Sequence, residues 1–209
     1  TGKKGFHCRP RYGVMRHMLS GSNLALITVR QQSQDGSPWS LAGVTNAIAE
    51  RCAISNKTKE ANYYFPLFVF EENDGQVRTD FLAGGCPNIG LEFVKVFAKG
   101  VDLEPTEPFG LPEGVGALDI FCYVYGVLHS PHYRQRYAEF LRIDFPRLPL
   151  ASSLGLFCAI SRLGGELVSL HLLESPLLDK PITTYTGVAT PEVEKVSYAP
   201  QDRSVWLDK

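Results

Sequence analysis

The sequence predicts an α+β protein: a mixed, mainly antiparallel sheet region to about residue 100, followed by a three-helix unit and a short β-rich tail. Three observations carry this expectation. Short β-branched apolar runs occupy the first hundred residues, a Pro/Gly/Glu-rich stretch interrupts the chain at 101–118, and apolar side chains then recur with a helical period. The expected organisation is a β-rich region 1–100, a connector 101–118, a helical region 119–180 and a β-rich tail 181–209.

In chain order, Leu24 to Val29 (LALITV) lies between Gly21-Ser22-Asn23 and a polar loop from Gln31 to Ser37, the pattern of a buried strand. A second run, Tyr63 to Phe70, contains Pro66, which cannot donate to a ladder and so points to a sheet edge or a bulge. Between them, Val44 to Ile54 reads as a strand followed by a short helix, and Gly84-Gly85 before Cys86-Pro87 reads as a turn. Past the connector, Asp119 can cap a helix to about His129 with Ile120, Val124, Val127 and Leu128 on one face. Ser130-Pro131 restarts the chain as N-cap and first helical residue of a second helix, to about Leu141, that buries Tyr133, Tyr137, Phe140 and Leu141. The third helix, Ser153 to Leu173, presents Leu156, Ile160, Leu163, Leu167 and Leu170 as a packing stripe. In the tail, Val193 to Tyr198 and Ser204 to Leu207 flank Pro200-Gln201-Asp202 as a hairpin.

A chain that is 44% hydrophobic can bury a proper core. No run is long enough for a membrane helix and the opening TGKKGFHCRPRYG lacks a signal-peptide core, so a cytoplasmic setting without membrane association is expected. Cys8, Cys52, Cys86, Cys122 and Cys158 are odd in number and scattered, which reads as reduced thiols. A net charge of -1 gives no global support for nucleic-acid binding. The charge is segregated, however. Residues 1–34 carry Lys3, Lys4, Arg9, Arg11, Arg16 and Arg30 with no Asp or Glu, whereas Glu71, Glu72 and Asp74 cluster elsewhere, as do Glu104, Glu107 and Glu113.

The motifs of catalysis are missing. There is no phosphate loop, H-E-x-x-H, G-x-S-x-G or dinucleotide fingerprint, no Asn-Pro-Pro-Tyr/Phe of an amino methyltransferase and no Pro-Asp…Glu-x-Lys nuclease set. His7 with Cys8 and His129 with His132 lack the four-ligand spacing of a structural zinc site, so no metal and no catalytic residue is expected. What remains is recognition chemistry. Arginine can bond guanine through O6 and N7 and glutamine can do the same to adenine, which makes Arg9, Arg11, Arg30, Gln31 and Gln32 candidate DNA contacts. Asn46, Arg51 and Lys57 lie in the next polar connection. Arg134 and Arg136, in HSPHYRQRY, read as an exposed helix face that either holds phosphates or is merely solvated.

The segment DIFCYVYGVLHSPHYRQRYAEFLRIDFPRLPL, Asp119 to Leu150, resembles the C-terminal part of type ISP restriction-modification enzymes. CRPRYGVMRHML, LALITVRQ, the FPLF of the second strand, LVSLHLLESPLLDKPIT and VEKVSY…VWLDK resemble the same family in the same order. The helix ending in Leu-His-Ser-Pro, the aromatic-rich helix after it and the Arg-x-Pro-Leu-Pro-like segment are also similar to specificity domains of gamma-class adenine methyltransferases and fused type II enzymes. The resemblance implies sequence-specific recognition of double-stranded DNA, beside the methyltransferase domain of a parent polypeptide that also holds nuclease and helicase-like ATPase. It places S-adenosylmethionine, ATP and Mg2+ in that parent and none in this chain. The chain is expected to be a non-catalytic fragment, with the methyltransferase core upstream of Thr1 and a continuation beyond Lys209. Two rivals stand beside this reading. A protein-interaction module would use Tyr63, Tyr64, Phe65, Tyr123 and Tyr125 on an exposed apolar patch, and a stand-alone enzyme would need a pocket of converging titratable groups.

Overall fold

The computed structural model describes residues 12–19, 22–32, 36–55, 61–70, 72–73, 76–77, 85–187 and 193–207. Two compact units are distinguished, Thr1–Leu178 and Asp179–Lys209. The α+β class holds: helices and antiparallel sheets occur together.

The larger unit opens with α1 (Tyr12–Met15) and a 3-10 turn (Arg16–Met18). β1 (Ala25–Thr28) is the centre of a three-stranded antiparallel sheet, flanked by β2 (Ala42–Thr45) and β3 (Tyr63–Pro66) in the order β2-β1-β3. The register pairs Ala25 with Thr45 and Pro66, and Thr28 with Ala42 and Tyr63. Pro66 thus sits on an edge strand, where a missing N–H costs nothing. The apolar run continues as β4 (Phe68–Val69) in a different sheet. β5 (Glu72–Asn73) pairs with β6 (Gln76–Val77), and β7 (Cys86–Pro87), directly after the expected Gly84-Gly85 turn, pairs with β4; Gly84 lies outside the described residues. No helix follows β2: residues 46–54 form turns and bends, pinned where Ile54 packs against Gly43 and Asn62 N–H bonds the Arg51 carbonyl at 2.9 Å.

A helix that the β-rich reading of residues 1–100 did not include is α2 (Leu91–Gly100). Its Val94, Phe97 and Ala98 recur at i, i+3 and i+4 and are buried, the face a helix needs. The connector is folded: Pro105 bridges Pro112, and Thr106 N–H bonds Leu111 O at 3.3 Å. Gly110 and Gly114, at φ of 73° and 79°, supply backbone geometry that a side chain resists.

Four helices follow: α3 (Ala117–His129), α4 (Pro131–Arg136), α5 (Ala138–Ile143) and α6 (Leu154–His171). Gly116, not Asp119, is the N-cap of α3; Asp119 sits at N3 and its carboxylate accepts the Gly116 N–H at 2.8 Å. Ser130 caps α4, its hydroxyl accepting the Tyr133 N–H. The single helix expected to Leu141 breaks at Tyr137, so the helical unit has one element more. Within it Tyr133 and Leu141 are buried, but Phe140 is 63% exposed. The expected stripe of α6 is only partly turned inward: Ile160 and Leu167 pack against the core. Leu156 and Leu163 are exposed, and the inward face is centred on Phe157, Ser161, Gly164 and Val168, one residue further on. Small residues set that seam: Gly164 lies so close to the Cys122 carbonyl that a Cβ would stand 1.8 Å from its oxygen, and Gly126 meets Ile160 in the same way.

One core joins residues on both sides of the connector, with Val29, Trp39 and Leu41 packed among Phe97, Tyr123, Leu128, Leu141 and Phe157. The smaller unit carries β8 (Ser197–Ala199) and β9 (Ser204–Trp206), the antiparallel hairpin expected around Pro200-Gln201-Asp202. Among the described residues no helix is long and apolar enough to cross a membrane.

Candidate nucleic-acid interface

β1 carries the polar edge out of the core. Thr28 and Val29 are buried, and the Thr28 hydroxyl donates to Leu41 O at 2.7 Å, so Arg30 and Gln31 emerge exposed from a fixed strand end. Gln32 turns back in. It is buried, its N–H bonds the carbonyl of Arg142 in α5 at 3.0 Å, and its side-chain amide donates to the Ser37 hydroxyl at 3.1 Å. The loop base is therefore tied to the helical region.

Arg30 Nε lies 3.0 Å from Asp144 Oδ1, both side chains about half exposed. That bond holds the Asp144 carboxyl below its usual range and raises the guanidinium above its own. Beside the pair, Phe145 stands edge-on to Tyr63 at 4.8 Å and to Phe65 at 6.0 Å. Arg51 is brought to the same end of the sheet through the bond from Asn62, the residue before β3. Asn46 is not: it follows Thr45 at the Ala25 end, where its amide donates to Glu174 at 3.2 Å. Arg9, Arg11 and Lys57 lie outside the described residues.

Between the loop carrying Trp39 and helices α4 and α5 lies an open groove of roughly 950 Å³. Arg134 spans its wall. Its Nε donates to Leu128 O at 2.6 Å, its guanidinium lies 5.6 Å from the centre of the Trp39 ring, and burial lowers its pKa. Arg134 is thus a half-buried, oriented cation, not a solvated surface charge. Arg136 is exposed and leans on Tyr137. Neither has a carboxylate partner among the described residues. Gln32, Gln135, Arg142, His129 and three serines, Ser37, Ser40 and Ser55, add to the polar lining, and no Asp or Glu occurs among the described lining residues.

His129 reaches this groove from a partly buried cluster in which Tyr125 O–H and His171 Nδ1 share a 2.5 Å hydrogen bond. Burial pushes His129 down to about 4, a bond to Tyr125 O opposes the shift, and the charges of Arg134 and His171 add to it. A base of that strength has little affinity for a proton at neutral pH. Cys122 is no better placed as a nucleophile, since burial, with Asp119, pushes its thiol up to about 11. The aromatics offered for an interaction module divide: Tyr63 and Phe65 are exposed, Tyr64 is half-buried, and Tyr123 and Tyr125 are core.

The family model of the Type ISP C-terminal specificity domain matches residues 2–209. The chain belongs to that family. This specificity domain shares its fold with two solved structures. One is an ATP-dependent Type ISP restriction-modification enzyme, LlaBIII, bound to DNA (TM-score 0.55, 17% identity, covering 90% of this chain and 11% of that one). The other is a nuclease-deletion mutant of the Type ISP enzyme LlaGI in complex with a DNA substrate mimic (TM-score 0.52, 23% identity, 90% and 14%). A DrdV–DNA complex matches at a TM-score of 0.49 and 24% identity over 73% of this chain and 12% of that one. The specificity domain therefore spans between 11% and 14% of the length of these proteins. No curated protein matches its sequence.

Sequence reasoning missed Asp144, Trp39, Gln135 and Arg142. Asp144, Gln135 and Arg142 lie inside the segment that carries the family resemblance, and Trp39 is one of only two tryptophans, in a Ser/Pro loop. Those were the available signals.

Proposed function

We propose that this specificity domain recognises the DNA target of a restriction-modification enzyme and performs no catalytic step itself. The observation that carries the reading is the family match over residues 2–209, and the DNA-bound state of the LlaBIII and LlaGI structures supports it. Arg30 and Gln31 are the proposed base readers: they are exposed, carry the right donors and acceptors, and leave a fixed strand. Arg51 joins them at that sheet end, and Arg9, Arg11 and Lys57 are proposed on sequence grounds alone. Gln32, committed to Ser37, is assigned to shaping the loop, while Arg134 and Arg136 are assigned to phosphates. Asn46 is kept as a contact remote from this cluster. Methyl transfer, cleavage and their S-adenosylmethionine, ATP and Mg2+ belong on this reading to the rest of a cytoplasmic parent polypeptide, whose methyltransferase domain is the protein partner. LlaBIII is itself described as ATP-dependent.

The test starts from a duplex selected by the chain out of a random pool. Arg30→Ala should weaken binding to it by roughly five- to a hundredfold and relax preference at one base pair, with a smaller loss on a scrambled duplex. Equal losses on both duplexes would make Arg30 a phosphate contact, and a wild-type chain that enriches no sequence would refute target recognition. Methyl transfer from labelled S-adenosylmethionine by the chain alone would refute its non-catalytic role.

A further inference from the structure

We infer that the groove between Trp39 and Arg134 seats a phosphodiester of the bound duplex and positions the DNA without reading its bases, an inference that rests on the DNA-recognition reading above. Its shape decides against base readout. Base edges are reached by elements that protrude into a major groove about 12 Å wide, whereas a concavity receives whatever stands proud of the duplex, and that is the sugar–phosphate backbone.

Its charge agrees with its shape. Arg134 and Arg142 line it, and no carboxylate does among the described residues. Among the described residues the ion pair made by these two arginines is Arg142 with Glu139, at 3.7 Å, and Glu139 is 87% exposed and not part of the described lining. Arg134 is already oriented by Leu128 O and the Trp39 ring, so an anion would meet a cation whose side-chain entropy is largely spent before binding.

Placement completes the case. Gln32 lines the groove two residues after Arg30, and its N–H is fixed to the carbonyl of Arg142, itself a lining residue. A phosphate held there would set the register in which Arg30 and Gln31 meet the bases, the division of labour found across DNA-binding proteins.

Gln135 makes the test clean, because it is exposed on α4, lines the groove and can become a carboxylate with almost no change of shape. Gln135→Glu and Gln135→Lys in the full chain would be titrated with the selected and the scrambled duplex at several salt concentrations, with melting curves to verify folding. Gln135→Glu should weaken both duplexes by the same factor, roughly three- to tenfold, leaving their ratio unchanged. Gln135→Lys should strengthen both and steepen the dependence of log K on log salt by up to about 0.9. If both variants bind both duplexes like wild type, or change only the selected duplex, the phosphate seat is wrong while DNA recognition stands. If the wild-type chain binds neither duplex, both readings fall.

Discussion

Two neighbouring glycines of α6 should respond to alanine with opposite signs. At Gly164 a Cβ would stand 1.8 Å from Cys122 O, 2.7 Å from its carbonyl carbon and 3.0 Å from Gly126 N, all backbone atoms that cannot swing aside. Ordinary carbon contacts need about 3.5 Å, so α3 and α6 would have to part by more than about 1 Å, enough to forfeit a quarter to a half of the dispersion attraction across the seam. The Ser161 hydroxyl, which donates to Asp119 O at 2.9 Å across the same seam, would lose its bond. Overpacking of about 1–3 kcal/mol or more and a hydrogen bond of about 1 kcal/mol, set against a helix-propensity gain of about 0.5–1 kcal/mol, leave Gly164→Ala destabilised by at least about 1–3.5 kcal/mol. In a chain of this size the melting temperature should fall by at least roughly 2–14 °C. At Gly165 a Cβ would meet only Cys122 Sγ, at 3.6 Å, an ordinary contact. Gly165→Ala should therefore stabilise by about 0.5–1 kcal/mol. Thermal and urea melts of the two single variants decide it, and if both shift the midpoint in the same direction by a similar amount the close approach of the two helices is wrong.

Other consequences can be checked on the same footing. Asn23, 1% exposed, donates to His17 O and Phe68 O and accepts the Leu24 and Phe68 N–H groups; Asn23→Ala should cost about 2–4 kcal/mol in urea unfolding, and a loss under about 1 kcal/mol would mean that water replaces those bonds. His129, held near 4 against 6.5 when unfolded, binds its proton more readily in the unfolded chain, so stability should fall as pH drops from about 6.5 towards 4. With partial solvent access its share is about 1–2 kcal/mol, and urea midpoints of His129→Gln that keep the full wild-type pH slope would contradict it. Ser130→Ala, which removes the acceptor of the Tyr133 N–H, should destabilise by about 0.5–2 kcal/mol, and an unchanged melting curve would show that the cap contributes nothing.

Local chemistry was legible wherever it decides local structure. The run around Leu26 could only be a buried strand, Ser130-Pro131 a helix start, and Pro200-Gln201-Asp202 a turn between strands, because each outcome depends on residues adjacent in sequence. Membership of the specificity-domain family was legible for the same reason, since its motifs are contiguous and in order. The candidate site was half legible. Arg30 and Gln31 stand exposed at the strand end, but the carboxylate paired with Arg30 is 114 residues away in sequence, and Arg134 acquires its orientation from Trp39, a residue of a distant loop.

Periodicity named part of the packing face of α6, Ile160 and Leu167, and misplaced its centre, because it counts hydrophobicity and not distance. Leu156 and Leu163 outrank Ser161 and Gly164 on any apolar scale, yet the small residues admit the α3 backbone, and the leucines are left to flank the seam. α2 was hidden by its β-branched valines, whose strand preference is weak enough for packing of Val94, Phe97 and Ala98 into the core to override. What the sequence by itself determined was the class of fold, most element starts and the family. Which faces meet, which arginine is paired and which is held in a groove were decided by tertiary structure alone, because contacts between residues a hundred positions apart depend on how closely two backbones can approach, a property no single segment contains.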